Sequence, residues 1–270
     1  MNVTALYFSP TGTTRKITEG IAEKIATELS ENSEYNTIDF TLKEKRDQPV
    51  SFDKEDLVII GVPVYAGRVP NVLLPYLGTI AGNGAKAVCV VVYGNRNYDD
   101  ALIELRDIAI TDGFQVIAAG AFVGEHSFSK VLAMGRPDEK DMAIVDLFAA
   151  RILEKLHSDQ MEGILAVKGE EPYRKYYMPR DRQGTPVDIR KVTPKTNSNC
   201  TNCKLCVGLC PVGSIDFEDP TKLTGICIKC GACIKGCPVS AKFYDDADYL
   251  RHQYELEEQF AARRAPELFI

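Results

Sequence analysis

Short apolar runs alternate with helical patterns along the first 157 residues. From Ile17 to Leu29 every fourth residue is apolar, a spacing that puts one apolar stripe on a helix over residues 13–29. The same reasoning predicts helices over residues 70–80, 98–111 and 137–157. The apolar runs are rich in β-branched and aromatic residues and predict strands. They are Val3 to Phe8, Tyr35 to Phe40, Leu57 to Val62, Ala87 to Tyr93 and Phe114 to Phe122.

Strands that are apolar on both faces belong in a parallel sheet that helices cover on each side. Five such strands alternating with helices predict a doubly wound α/β domain over residues 1–157. Five strands in this length fit the strand order 2-1-3-4-5, although the sequence does not fix the order.

The pattern changes after residue 157. Residues 158–194 have no sustained period and are predicted to be a linker. Its stretch from Tyr173 to Arg180 is aromatic and basic, and packing against the first domain is favoured over a ligand site. Residues 195–245 are predicted to form a second, small domain, and residues 246–270 a C-terminal helix.

Charge and hydropathy exclude some partners. The net charge is −6 and there is no basic stripe, so nucleic acid is not expected as a partner. No apolar run approaches the roughly 20 residues of a membrane helix. The first eight residues also lack the basic start of a secretion signal. We therefore expect a soluble, cytoplasmic protein that does not bind a membrane; its oligomeric state is not predicted.

Eight of the nine cysteines lie between Cys200 and Cys237. Without a secretion signal, dense local cysteines favour metal over disulfides, because cytosolic thiols are kept reduced. They form two runs of the pattern C-x2-C-x2-C-x3-C-P, the run of bacterial 4Fe-4S ferredoxins. Structural zinc takes two CxxC pairs and would leave the third cysteine of each run surplus. Two 4Fe-4S clusters are therefore favoured, with zinc and disulfides as the alternatives.

In such ferredoxins the fourth cysteine of each run binds the other cluster. This rule assigns Cys200, Cys203, Cys206 and Cys237 to the first cluster, and Cys227, Cys230, Cys233 and Cys210 to the second. The second domain is accordingly expected to be a small α+β ferredoxin domain.

A turn of small residues follows the first strand. In open parallel sheets, ligands bind beyond the carboxyl ends of the strands where the winding reverses, here after the first and third strands. The turn offers hydroxyls and free backbone N–H groups at a helix N-terminus, which favours a phosphate. The alternative is that these residues only cap the helix. They are Ser9, Thr11, Gly12, Thr13 and Thr14.

Two further loops at this edge combine glycine with an aromatic residue that can cover a flat ring. The loop after the third strand contains Pro63, Val64, Tyr65, Ala66 and Gly67, and the loop after the fourth contains Tyr93, Gly94, Asn95, Arg96 and Tyr98. Packing is the alternative role for these tyrosines. After the fifth strand, His126 would suit proton delivery because its pKa lies near neutrality, but a hydrogen-bonded loop histidine is favoured.

Residues 1–157 resemble flavodoxins. Ser9-x-Thr11-Gly12-x-Thr14 is similar to their phosphate loop, and Tyr98 falls where their ring-stacking tyrosine lies. The whole chain resembles the flavodoxin-ferredoxin fusion proteins of anaerobic microbes. The resemblance implies a flavodoxin-like sheet and bound FMN, with residues 63–67 and 93–98 beside the flavin ring. The chain departs from the flavodoxin pattern in having no tryptophan, and Pro10 removes one N–H from the phosphate loop.

FMN and two clusters together predict an electron-transfer oxidoreductase. FMN takes one or two electrons whereas each cluster passes one, so the chain would link a one-electron partner to a two-electron one. The expected partner is a ferredoxin, a larger redox enzyme or a small-molecule acceptor. The alternatives are a pure electron carrier without its own substrate and a flavin-free docking module. The chain has no GxGxxG fingerprint, so direct NAD(P)H oxidation is not predicted.

Overall fold

A computed structural model describes residues 1–30, 34–158, 163–181 and 183–270. Residues 159–162 and 182 of the predicted linker lie outside the described residues. In this part of the chain no helix is long and apolar enough to cross a membrane.

Five parallel strands form the predicted sheet, and each strand end lies within one residue of its predicted position. The strand order is β2-β1-β3-β4-β5, which confirms the flavodoxin-like doubly wound fold. The strands are β1 (Asn2–Tyr7), β2 (Asn36–Asp39), β3 (Asp56–Pro63), β4 (Lys86–Tyr93) and β5 (Gln115–Val123).

Helices cover both faces of this sheet. They are α1 (Thr13–Leu29), α2 (Leu74–Leu77), α3 (Ala101–Thr111) and α4 (Glu139–Ser158). On one face the isoleucines of α1 pack with α4 in a buried cluster, and full burial of each such side chain contributes about 1.5–3 kcal/mol. On the other face α2 and α3 enclose a second cluster. The helix predicted over residues 70–80 is shorter, a 3-10 turn (Asn71–Leu73) followed by α2, because Gly78 ends it.

The small domain contains two short strands and two short helices. Strand β6 (Lys195–Thr196) pairs with β7 (Lys242–Phe243) in antiparallel fashion, and the helices are α5 (Leu205–Gly208) and α6 (Ala232–Lys235). The predicted α+β arrangement is therefore present.

The predicted C-terminal helix over residues 246–270 is wrong beyond residue 259. Helix α7 (Ala247–Gln259) is followed by β8 (Glu267–Phe269), which joins the large sheet as an antiparallel sixth strand next to β5. Pro266 cannot continue a helix, and the free edge of β5 offers backbone groups that accept a strand. The chain thus returns from the small domain to the first one.

The linker packs against the first domain, as favoured from the sequence. The buried Asp100 carboxylate accepts hydrogen bonds from the backbone N–H groups of Glu170 at 3.0 Å and Arg174 at 2.7 Å. The Arg68 guanidinium lies over the ring of Tyr173 at 4.7 Å and also over that of Tyr176 at 5.1 Å. The aromatic and basic residues of the stretch are therefore used in packing.

Candidate redox site

The turn between β1 and α1 is built around Gly12, whose φ of 85° is a left-handed conformation that suits glycine. In the described chain, the backbone N–H groups of Thr11, Thr13 and Thr14 have no hydrogen-bond acceptor. The Ser9 side chain caps the first turn of α1, because its Oγ accepts a hydrogen bond from the N–H of Arg15 at 2.9 Å. The capping interpretation therefore applies to Ser9, and three free donors remain beside it.

These donors open into a cleft at the carboxyl ends of the parallel strands. Eight of the predicted site residues line it, together with residues of the β5–α4 loop and one cysteine of the small domain. The lining residues are Pro10, Thr11, Thr13, Thr14, Pro63, Val64, Tyr65, Val92, Tyr93, Gly94, Glu125, His126, Ser127 and Cys230.

Asn95 and Tyr98 do not line the cleft, although both were predicted to contact a cofactor. The Asn95 amide donates to the carbonyl oxygens of Phe260 at 2.6 Å and Ala262 at 2.9 Å. Tyr98 is 2% exposed, and its hydroxyl donates to Glu267 at 2.8 Å. The returning C-terminal segment binds both side chains, so the stacking role predicted for Tyr98 does not match its position.

Ala66, Gly67 and Arg96 also lie outside the cleft lining. The Arg96 guanidinium pairs with Asp99 and lies 4.3 Å from the ring centroid of Tyr177. A Cβ on Gly67 would collide with the Asp99 carboxylate. The Ala66 carbonyl accepts the N–H of Tyr177 at 2.8 Å. Ala66 and Arg96 therefore contact Tyr177 of the linker, and Gly67 leaves room for Asp99.

The sequence did not predict that Val92 or Cys230 would line this cleft. Glu125 and Ser127 flank His126, so the position of their loop after the fifth strand was the available signal. The Cys230 run predicted metal ligation only. Nothing in its local pattern indicates which surface it would meet.

His126 is a hydrogen-bonded loop histidine. Its Nδ1 accepts the N–H of Phe128 at 3.1 Å. The ring packs on Gly94, where a Cβ would come within 2.5 Å of the imidazole. Burial, with smaller contributions from His252 and Lys235, lowers the pKa of His126 to about 3. The imidazole is therefore neutral at pH 7 and unsuited to act as an acid there.

Because His126 is buried in its neutral form, the stability of the folded protein should depend on pH. The unfolded chain binds a proton near pH 6.5, whereas folded His126 binds one only near pH 3, so acid favours unfolding across this window. Between pH 8 and 5 the free energy of unfolding should fall by about 1–2 kcal/mol through this residue. Denaturation of His126→Gln at both pH values should show a fall in unfolding free energy that is smaller than that of the parent chain by this amount. Equal losses in the two proteins would contradict the prediction.

Each predicted set of four cysteines surrounds its own cavity. The first cavity is lined by Cys200, Cys203, Cys206 and Cys237, and the second by Cys210, Cys227, Cys230 and Cys233. The fourth cysteine of each run thus lies with the other run's first three. Among the described residues, no three His, Cys, Asp or Glu side chains converge on a single-ion site.

The two cavities are related by an internal repeat, because the second cysteine run follows the first by 27 residues throughout. Cys210 Sγ accepts the N–H of Ser214 at 3.2 Å, and Cys237 Sγ accepts the N–H of Ala241, also at 3.2 Å. Equivalent sulfurs therefore have equivalent backbone donors.

The two cavities differ at Lys242, because the residue 27 positions earlier is Ile215. The Lys242 side chain is 3% exposed, lines the first cavity, and donates to the carbonyl oxygen of Pro220. No carboxylate pairs with it in the described chain. Burial raises the pKa of Cys206, and the positive charge of Lys242 opposes that rise. The pKa of Cys237 is lowered against the effect of burial, mainly by backbone hydrogen bonds and to a smaller extent by Lys242.

The second cavity lies against the first domain. Gly231 follows Cys230 with φ of 79°, and a Cβ there would lie 2.7 Å from the carbonyl oxygen of Ser127. Lys235 on α6 pairs with Glu125 at 2.7 Å. The cysteine loop is therefore in direct contact with the β5–α4 loop of the cleft.

One family model and several solved structures are similar to parts of this chain. Residues 166–251 match the family described as the 4Fe-4S dicluster domain. No curated protein matches the chain. Among solved structures, the chain is similar to Streptococcus pneumonia TIGR4 flavodoxin (18% identity, 57% of this chain, 99% of that chain, TM-score 0.40). It is also similar to oxidised flavodoxin 2 from Bacillus cereus (16% identity, 57% of this chain, 99% of that chain, TM-score 0.42). A third similar structure is an NADH:FMN oxidoreductase in its apo form (17% identity, 56% of this chain, 87% of that chain, TM-score 0.39).

The strand order and the matched domain define the class of protein: a flavodoxin-like domain followed by a 4Fe-4S dicluster domain, an arrangement that supports an electron-transfer role. The chain fits a flavodoxin-ferredoxin fusion.

Proposed function

We propose that this chain is an oxidoreductase that passes electrons between FMN in the cleft and two 4Fe-4S clusters in the cysteine cavities. The observation that carries the proposal is the position of Cys230. This residue lines the cleft and is also one of the four thiols around the second cavity. A flavin and a cluster bound in these sites would be neighbours.

The donors of the cleft suit the phosphate of FMN. Thr11, Thr13 and Thr14 present free N–H groups at the N-terminus of a 17-residue helix, whose dipole favours an anion. No lysine is needed to bind a phosphate that is not cleaved. Tyr65 offers an aromatic surface in the same cleft. FMN, when bound, exchanges one or two electrons, while these residues hold and orient it.

The first cavity suits an anionic cluster because Lys242 lies beside it without a carboxylate partner. An uncompensated buried charge is costly, whereas four thiolates around iron provide negative charge close to the ammonium group. Burial raises the pKa of Cys230 and of Cys233 to about 12, so thiolates in the second cavity need a cation such as iron.

A pure electron carrier is the second candidate, because the turn that contains Cys203 is exposed to solvent and accessible to another protein. Turnover with a small-molecule acceptor, in the absence of any partner protein, distinguishes an oxidoreductase from a carrier. A ferredoxin or a larger redox enzyme is the protein partner expected in either case.

A cofactor inventory tests the proposal. Protein purified without oxygen should contain about eight iron, about eight sulfide and about one FMN per chain. Its visible spectrum should show flavin bands over an iron-sulfur shoulder. A colourless protein that contains zinc would refute the clusters, and a chain that does not bind added FMN would refute the flavin site.

Tyr244 should raise the reduction potential of the second cluster. Its hydroxyl lies 3.7 Å from Cys227 Sγ, and its ring stacks on Tyr249 at 4.0 Å. Hydrogen bonds to ligand sulfurs favour the more negative, reduced cluster. Tyr244→Phe should lower the reduced-to-oxidised ratio of that cluster about threefold at a fixed potential, or about 30 mV for one electron.

An EPR-monitored redox titration measures this shift for Tyr244→Phe. The first cluster should be unchanged, as should both clusters in Tyr254→Phe, which removes an exposed tyrosine hydroxyl from α7. Unchanged potentials in Tyr244→Phe would show that the hydroxyl does not act on the cluster.

A further inference from the structure

A short antiparallel pair of residues borders each cysteine cavity. Thr196 of β6 pairs with Lys242 of β7, and both residues line the first cavity. The residues 27 positions away from these two are Leu223 and Ile215, which form an antiparallel bridge of their own and line the second cavity. The internal repeat therefore places equivalent pairs beside the two cavities. The first pair is polar, and the second is apolar.

Lys242 brings a buried positive charge to the first cavity. Its ammonium group donates to the carbonyl oxygen of Pro220, which lines the same cavity. The acidic residues nearest in sequence to Pro220 and Lys242 are Asp219 and Asp245, and each pairs with an exposed lysine instead. Lys204 is the other charged residue of the lining, and within the described chain no acidic residue belongs to it.

Thr196 brings a hydroxyl group to the same cavity. Its Oγ1 is buried and makes no hydrogen bond within the described residues. A buried hydroxyl without a partner is costly, so such groups normally have one. The sulfur atoms of a cluster in this cavity would accept a hydrogen bond from Thr196, and their negative charge would compensate that of Lys242. Both side chains therefore suit the same anionic group.

The second cavity lacks a charge of this kind. In the described part of the chain, no Asp, Glu, Lys or Arg lines it. Lys229 belongs to the second cysteine run but not to this lining; its ammonium group donates to the carbonyl oxygen of Arg190 at 2.7 Å, and its charge interacts with Asp188. The Tyr244 hydroxyl lies 3.7 Å from Cys227 Sγ, but a hydroxyl dipole acts more weakly than a full charge.

We propose that Thr196 and Lys242 make the first cluster site the more easily reduced of the two, so that the first electron received by the chain is held away from the flavin cleft. The inference rests on the proposed function. Reduction adds one negative charge, which a nearby cation and a hydroxyl donor stabilise. Among the described residues only the second cysteine set, through Cys230, lines the cleft. The electron comes from a one-electron carrier protein, which is oxidised; no bond forms or breaks, and no proton moves.

An EPR-monitored redox titration of the anaerobic holoprotein tests this inference. Two one-electron steps are expected. Lys242→Met should lower the reduced-to-oxidised ratio of the higher step about tenfold at a fixed potential, or about 60 mV. Thr196→Val should lower it about threefold, whereas Thr196→Ser retains a hydroxyl and should keep the parent ratio. Lys222→Met is the matched control, because it removes the same charge from a side chain that is 72% exposed. It should leave both steps unchanged.

The outcomes separate this inference from the proposed function. Absence of iron and sulfide overturns both, whereas absence of FMN alone overturns the proposed function and leaves the titration decisive for the inference. With clusters present, unchanged steps in Lys242→Met and Thr196→Val overturn the inference alone. A shift confined to the lower step also overturns it, as does an equal shift in Lys222→Met or a single potential for both clusters in the parent chain. If Lys242→Met does not assemble its clusters, the two Thr196 variants decide.

Discussion

A chain that ends at Gln259 should lose at least about 3 kcal/mol of unfolding free energy relative to the full chain. Truncation removes both carbonyl acceptors of the buried Asn95 amide and leaves the Tyr98 hydroxyl without Glu267. Each buried polar group left without a partner costs about 1–3 kcal/mol. The C-terminal segment is therefore a structural part of the first domain, despite following the second in sequence.

The truncated chain should also associate with itself. Loss of β8 exposes the edge of β5 around Gly120, and an uncovered edge strand pairs with other chains. Urea denaturation measures the stability, and light scattering measures the association. Glu267→Gln is the control: it retains the backbone pairing and an acceptor for Tyr98, so it should lose no more than about 1 kcal/mol. Equal midpoints for the truncated and full chains would contradict the prediction.

Gly231→Ala should separate the second cysteine cavity from the cleft. The new Cβ would lie 2.7 Å from the Ser127 carbonyl, so one of the two loops must move. We expect a cost of about 1–3 kcal/mol for this overpacking, in addition to about 1–2 kcal/mol for alanine in a left-handed conformation. Electron passage from the clusters to FMN should slow, because the two sites are held further apart. Flash reduction of the clusters, followed by flavin absorbance, measures the rate.

Gly213→Ala isolates the effect of the collision. Gly213 has φ of 61° in the same domain, and a Cβ there meets no atom within 4 Å. The control therefore contains the backbone strain without the clash. It should be destabilised by about 1–2 kcal/mol and transfer electrons at the parent rate. Equal slowing in the two variants would show that the Gly231 contact does not set the distance between the sites.

The sequence predicted those features that depend on local pattern. The five strands were found because a strand buried on both faces must be apolar along its length, as Leu57 to Val62 are. The two cysteine runs were predicted because three ligands on one tight loop need a fixed spacing, and the exchange of the fourth cysteine followed from the rule for bacterial ferredoxins. The turn around Gly12 was predicted because glycine and small hydroxyl residues are common where a strand leads into the N-terminus of a helix.

The predictions failed where a residue contacts a segment that is far from it in the sequence. Tyr98 has the sequence position of a ring-stacking tyrosine, but Glu267, far along the chain, takes its hydroxyl. Residues 246–270 were predicted to be a helix because no local feature shows that the edge of β5 accepts a strand. Contacts of this kind depend on surfaces that exist only after the sheet has formed.

By itself, the sequence determined two modules: a parallel sheet with a turn of small residues at a strand end, and two cysteine runs suited to clusters. Only the tertiary structure decided how the modules meet. It placed Cys230 in the cleft and left Cys203 in solvent, although the two runs have the same spacing. The physical reason is that spacing encodes ligation within a loop, whereas burial depends on the neighbouring domain. Here that neighbour leaves no space for a side chain at Gly231.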